Sequence, residues 1–217
     1  MSRPSASSDG RAESNRGLVR AGATALDEKH LLTADEKHLT AEELEAGLGE
    51  ILRSPKEAGV LELIVRRPCE GEREVLEEGL LDLDEGLVGD SWRRRRSSRT
   101  PDGSPHPDMQ LNVMNSRALA LVARERGRWK LAGDQLILDM DLSEENLPAG
   151  ARLALGSAVI EVTEQPHTGC KKFVARFGLE ALKFVNSPEG RRLRLRGLNA
   201  RVVRPGVVRV GDAVRKV

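Results

Sequence analysis

Cys170 lies in the stretch PHTGCKKFVARFG, residues 166 to 178, the only part of the chain that gathers residue types suited to covalent or metal-ligand chemistry. A thiolate is both a nucleophile and a soft metal donor. Pro166 and Gly169 predict a turn, and Cys170 to Phe177 predict a short helix closed by Gly178. Cys170 would then sit in the first helical turn, where unpaired backbone N–H groups favour negative charge. A helix terminus supplies only about 0.3 to 1 kcal/mol of that preference. One of the basic neighbours His167, Lys171 or Lys172, or a bound metal, must add to it. A structural alternative stands beside this one: Cys170, Phe173, Val174 and Phe177 share one helical stripe, as a buried cysteine would.

The elements that position such a thiol must come from a chain poor in aromatics. Of 217 residues, 39% are apolar and 32% charged, as in a soluble globular protein. Aromatics are confined to Trp92, Trp129, Phe173, Phe177 and Phe184, with no tyrosine. The core must be aliphatic, and stacking platforms for single-stranded nucleic acid are scarce. A formal net charge of +1 gives no reason to expect a nucleic-acid or membrane partner. Cys69 and Cys170 are the only cysteines and have no zinc-type spacing. With no signal-like or membrane-length apolar run, the expectation is a cytoplasmic protein with two free thiols, although a disulfide between them is not excluded.

Residues 1 to about 38 read as a flexible tail followed by a charged helical segment, in which DEKHL at 27 to 31 recurs at 35 to 39. The eight-residue step would place His30 and His38 on one helical face, a weak metal pattern and more simply a solvated helix. From residue 39 to 217 a single domain is expected. Thr40 to Glu43 is a capping box opening a helix that ends at Ser54-Pro55. Alternation in VLELIVRRP puts Leu61, Leu63 and Val65 on one strand face. The segment 91 to 108, with four arginines at 93 to 96, reads as a long exposed loop. A strand at 109 to 114, a helix at 116 to 126 capped by Ser116, and strands at 135 to 142 and 151 to 164 follow. RRLRLRG at 191 to 197, ARVVRPGVVRV with a Pro205-Gly206 hairpin signal, and DAVRKV complete a series of short alternating strands. Many such strands with a few short helices predict a mostly β (α+β) architecture, a closed or nearly closed barrel.

From about Leu61 to Val217 the chain resembles the MOSC family, named for the C-terminal domain of the eukaryotic molybdenum cofactor sulfurase. The resemblance rests, in order, on RPCEGERE, GLVGDSW, QLNVMNSRALALVA, LAGDQLILDMDLSEENLPAG, EQPHTGCKKFVARFG and RVGDAV. It implies a β-barrel with the loop cysteine at the mouth of a pocket. There Cys170 would ligate molybdenum through its thiolate or carry sulfur as a persulfide, with His167 assisting. A molybdenum cofactor is an anionic pterin dithiolene bearing a phosphate, so Lys171, Lys172, Arg176 and Arg196 are candidate phosphate contacts, and Asn112, Asn115 and Arg117 candidate pterin contacts. The arginines at 93 to 96 are a solvated face, a site for an acidic partner, or a flap over that pocket. Cys69 falls outside the family signature. The resemblance implies molybdenum-dependent reduction or oxo-transfer, with persulfide delivery and a non-enzymatic binding barrel as alternatives. The length leaves no room for a pyridoxal-phosphate desulfurase domain, so this cofactor is not expected here, and a cysteine desulfurase or an electron-donor protein would be the partner.

Overall fold

A computed structural model describes residues 38–217. The expected tail, His30 and the first DEKHL copy lie outside the described residues. Helix α1 (Ala41–Ile51) opens on the capping box: the Thr40 side chain accepts from the Glu43 N–H, and the Glu43 carboxylate accepts from the Thr40 N–H. Eleven strands follow among the described residues: β1 (Ala58–Arg66), β2 (Glu74–Leu76), β3 (Glu78–Asp82), β4 (Gly86–Leu87), β5 (Leu111–Asn115), β6 (Leu136–Asp139), β7 (Arg152–Leu155), β8 (Ala158–Val162), β9 (Leu198–Arg204), β10 (Gly206–Arg209) and β11 (Ala213–Lys216). The remaining α-helices are α2 (Ser116–Ala123), α3 (Lys171–Phe177), α4 (Leu179–Asn186) and α5 (Pro188–Arg192).

Seven strands close a mixed barrel in the order β1-β11-β7-β8-β9-β5-β6, with β6 returning to β1. Only β5 and β6 run parallel, joined through α2 in a crossover, the connection that a parallel pair requires. The barrel interior is aliphatic, with Leu61, Ile64, Leu111, Val113, Leu136, Leu138, Leu153 and Ile160 all buried. A second core lies between the outer face of β1, β5 and β6 and the helices. Leu63, Val65, Met114 and Ile137 meet Leu44, Leu119, Phe173, Phe177 and Val185 there. These three strands are buried on both faces, which accounts for the nearly continuous apolar runs LELIV, LNVM and LIL.

Several expectations change with the structure. Leu61, Leu63 and Val65 do not share a face: the register of β1 against β6 shifts between Leu61 and Leu63, so Leu61 points into the barrel while Leu63 and Val65 face the helices. Such a bulge reverses the alternation beyond it. RRLRLRG forms no strand, because Ser187 and Pro188 start α5 instead; the Ser187 hydroxyl accepts from the Gly190 N–H. Pro205-Gly206 makes no hairpin. β9 stays in the barrel, whereas β10 pairs with β3 in a separate three-stranded sheet with β4. Asn115, not Ser116, caps α2, its side chain accepting from the Ala118 N–H. No helix among the described residues is long and apolar enough to cross a membrane.

Candidate active site: an arginine-lined cavity with two thiols

The site assembles where β1 and β8 finish and where β6 and β9 begin. Arg67, one residue past β1, is 4% exposed and is held bidentately by Asp90: Nε and Nη2 donate to the two carboxylate oxygens at 2.9 Å each. The Arg67 Nη1 donates to the Asn112 Oδ1 at 3.0 Å and to the Gly133 carbonyl at 2.7 Å. Asn112 in turn donates to Asn199, which donates to the Gln165 carbonyl. On a second face, Arg196 Nη1 contacts both oxygens of Asp134 at 2.9 and 2.8 Å, and its guanidinium lies 5.1 Å from the centre of the Phe173 ring. The Arg196 Nε is buried without a hydrogen-bond partner.

Cys170 is the N-cap of α3, not a residue of its first turn, and it is exposed. Its carbonyl accepts from the Phe173 and Val174 N–H groups. The preceding peptide is clamped by α4: the Gly169 N–H donates to the Asn186 Oδ1 at 3.0 Å, and Asn186 Nδ2 donates back to the Gly169 carbonyl at 3.3 Å. A Cβ at residue 169 would press on the tip of the Leu182 side chain, which would have to shift. Phe173 and Phe177 are buried and anchor α3 to the helical core. The stripe seen in the sequence is therefore real from Phe173 onward but stops short of the thiol. The buried-cysteine alternative fails at its premise.

A cavity of about 580 Å³ opens in front of Cys170. Its wall carries Arg67, Arg73, Arg94, Arg95, Arg96, Lys172, Arg176 and Arg196, and the single carboxylate of Glu70. The arginine run of 93 to 96 is thus partly turned inward. A 3-10 turn at Trp92–Arg94 sets its direction, Arg95 donates to the Ser91 hydroxyl, and Arg94 to the Pro68 carbonyl. Burial, and then Arg67 beside it, lower the Arg95 pKa from its ordinary value, with Asp90 and Glu70 opposing.

The candidate residues separate into three groups. Cys170, Lys172, Arg176, Arg196 and Asn112 line the cavity. Lys172 also pairs with Glu70 at 2.7 Å, and Arg176 donates to the Leu131 carbonyl. Lys171 is exposed and is not in the cavity wall. Asn115 and Arg117 are committed elsewhere: Asn115 donates to Ser54 and the Met140 carbonyl, and Arg117 pairs with Asp139 and Glu50. His167 lies behind the wall, its Nδ1 3.4 Å from Asp134 Oδ1 without a hydrogen bond. Burial first, then Arg196 and Arg67, push its pKa well below the ordinary histidine range. At neutral pH it is an uncharged imidazole and adds no positive field. Sequence reasoning did not single out Arg67, Asp90, Asp134 and Arg73 as site residues, although they lie within RPCEGERE, GLVGDSW and LAGDQLILDMDLSEENLPAG. It also set aside Cys69, which lines the same cavity as Cys170.

Residues 101–215 match the MOSC domain family. The chain belongs to that family. The match leaves out β1, although this strand completes the MOSC barrel. Among solved structures, the YuaD protein from Bacillus subtilis is 18% identical with a TM-score of 0.52, covering 73% of this chain and 95% of that one. A hypothetical protein is 21% identical with a TM-score of 0.50, covering 76% and 71%. YiiM from Escherichia coli is 22% identical with a TM-score of 0.48, covering 73% and 69%. The first two likenesses support the barrel fold of this MOSC domain. No curated protein shows significant similarity to the chain.

Proposed function

We propose that this MOSC domain binds an anionic molybdenum cofactor in the arginine-lined cavity, with the Cys170 thiolate as a ligand, and supports molybdenum-dependent reduction or oxo-transfer. The observation that carries this reading is an exposed thiol opening onto a cavity with eight cationic side chains and one carboxylate. No cluster of three or more His, Cys, Asp or Glu side chains suited to a bare metal ion exists among the described residues. The donor set therefore fits a metal that arrives with its own ligands and needs one soft donor from the protein.

When bound, such a cofactor supplies two-electron oxo-transfer chemistry. The chain supplies position and charge. Asn186 and Gly169 fix the Cys170 backbone. Asp90 and Asp134 hold the guanidinium planes of Arg67 and Arg196 in place before any ligand enters. The unpartnered Arg196 Nε is a spare donor for an anionic oxygen. Arg94, Arg95 and Arg96 extend the positive wall toward solvent. Turnover would require an electron-donor protein as partner.

The test is elemental analysis of protein made in a host with intact cofactor synthesis. Near-stoichiometric molybdenum in wild type and its loss in Cys170→Ser are expected; wild-type protein without molybdenum would overturn the reading. The exposure of Cys170 also favours a second reading, in which a partner cysteine desulfurase loads a persulfide on that sulfur. Mass spectrometry after incubation with a desulfurase and cysteine would show the added sulfur on Cys170.

A further inference from the structure

The turn after β1 brings a second sulfur to the cavity. Cys69 lines the wall together with Cys170, and both thiols are exposed and free. Their loops touch across the rim, where the Glu70 carboxylate meets Lys172 Nζ at 2.7 Å. Glu70 follows Cys69 directly, and Lys172 is two residues beyond Cys170. The two sides are held differently. Asn186 clamps the Cys170 side through both polar atoms of the Gly169 backbone. The Cys69 side is a tight turn: the Glu72 N–H donates to the Cys69 carbonyl at 3.3 Å, and Gly71 takes φ 87°. Beyond this turn β2 is only three residues long and pairs with β1 alone. The Glu72 carboxylate beside it pushes the Cys69 thiol pKa above its ordinary value.

We infer that Cys69 and Cys170 form a reversible disulfide across the cavity, a redox switch that removes Cys170 from ligand duty. The inference rests on the reading of Cys170 as the working thiol. With hydrogen peroxide as oxidant, the Cys170 sulfur takes one oxygen, giving a sulfenic acid and water. Cys69 then attacks that sulfur. The S–S bond forms, the S–O bond breaks, and the Cys69 proton goes to the departing hydroxide, giving a second water. Two thiols lose two electrons, and one peroxide gains them. A disulfide demands Cα atoms within about 7 Å, so closure requires the turn at residues 69–72 and the clamped Cys170 to be within that reach. The bridge would span the cavity that the anionic ligand is to fill.

The experiment treats the full-length reduced protein with hydrogen peroxide, alkylates the remaining thiols in denaturant, and maps peptides without reductant. A Cys69–Cys170 crosslink within one chain, reversed by a dithiol, is expected. In Cys69→Ser the same treatment should carry Cys170 on to sulfinic acid, which the dithiol does not reverse. Wild-type protein in which both thiols remain alkylatable, or in which Cys170 reaches sulfinic acid without a crosslink, would overturn the inference. So would crosslinks found only between chains. Molybdenum content of the reduced protein is measured separately, so a failed cofactor reading and a failed switch give different results. If both hold, molybdenum uptake is abolished by prior oxidation and restored by the dithiol in wild type, and is not restored in Cys69→Ser.

Discussion

Asp90 and Asp134 hold Arg67 and Arg196 in place without themselves lining the cavity. For Asp90, burial opposes ionisation, but hydrogen bonds and charge from Arg67 and two backbone N–H groups outweigh it, leaving its pKa below the ordinary value. An aspartate shifted down stabilises the fold above the unfolded pKa near 4 and loses that contribution as pH falls through its folded pKa. Asp90→Ala would leave a buried Arg67 uncompensated, and a loss of about 3 to 5 kcal/mol is expected in urea melts. His167 is displaced the other way from its usual role. Buried and neutral, it must gain a proton when the chain unfolds in acid, so its contribution is present above about pH 6.5 and is lost as pH falls below it. Asp134, raised chiefly by burial against the pull of Arg196, works in the opposite sense: its destabilising effect is relieved as pH falls through its folded pKa. Stability measured from pH 7 to pH 5 should fall in wild type by at most about 1.4 kcal/mol per pH unit from His167, and His167→Gln should flatten that slope. An unchanged slope would remove His167 from the account.

At the scale of elements, the Cys170 loop depends on α4. Asn186→Ala deletes both hydrogen bonds to the Gly169 peptide and should cost about 1 to 3 kcal/mol. It should also lower molybdenum occupancy while leaving the thiol free to alkylate. Full occupancy in a destabilised variant would show that the clamp serves the fold alone. Gly197 makes a comparable demand before β9: it sits at φ 102°, and a Cβ there would collide with the Val113 carbonyl. Gly197→Ala should cost at least about 1 to 3 kcal/mol, read from thermal melts, and displace Arg196 beside it. These elements also show what a sequence can reveal. The capping box at Thr40, the α3 stripe and the alternation in β7 and β8 were legible because their signals are local. The β1 bulge was not, since alternation is blind to an inserted residue. RRLRLRG misled because its alternation matches a strand, whereas Arg191 and Arg192 end the Ser187-capped α5 and the residues after them form a turn. Cys170 was legible from its neighbours, whereas Arg67 and Asp90 meet across 23 positions that no spacing rule covers.

For the whole molecule, the cavity draws on β1, the 91 to 96 segment, α3 and the approach to β9, so its charge exists only in the closed fold. Binding of an anionic ligand should weaken as salt rises, because most of the wall is open to screening, while the Arg67–Asp90 and Arg196–Asp134 pairs are shielded. Titration of the loaded protein over a range of ionic strength would check this. A flat response would place the ligand against the buried pairs alone.

The seam between β1 and β11 has a consequence for how the chain is made. Ala58, Gly59 and Val60 pair with Arg215, Val214 and Ala213, so the strand that opens the barrel waits for β11, the barrel strand furthest from it in the sequence. Until residue 215 leaves the ribosome, that stretch of β1 presents an open row of backbone donors and acceptors. Closure over so long a loop is slow compared with local pairing. The nascent chain must therefore spend the interval with an aggregation-prone edge exposed, and refolding from denaturant should be slower and more dependent on protein concentration than the stability of the finished barrel would suggest.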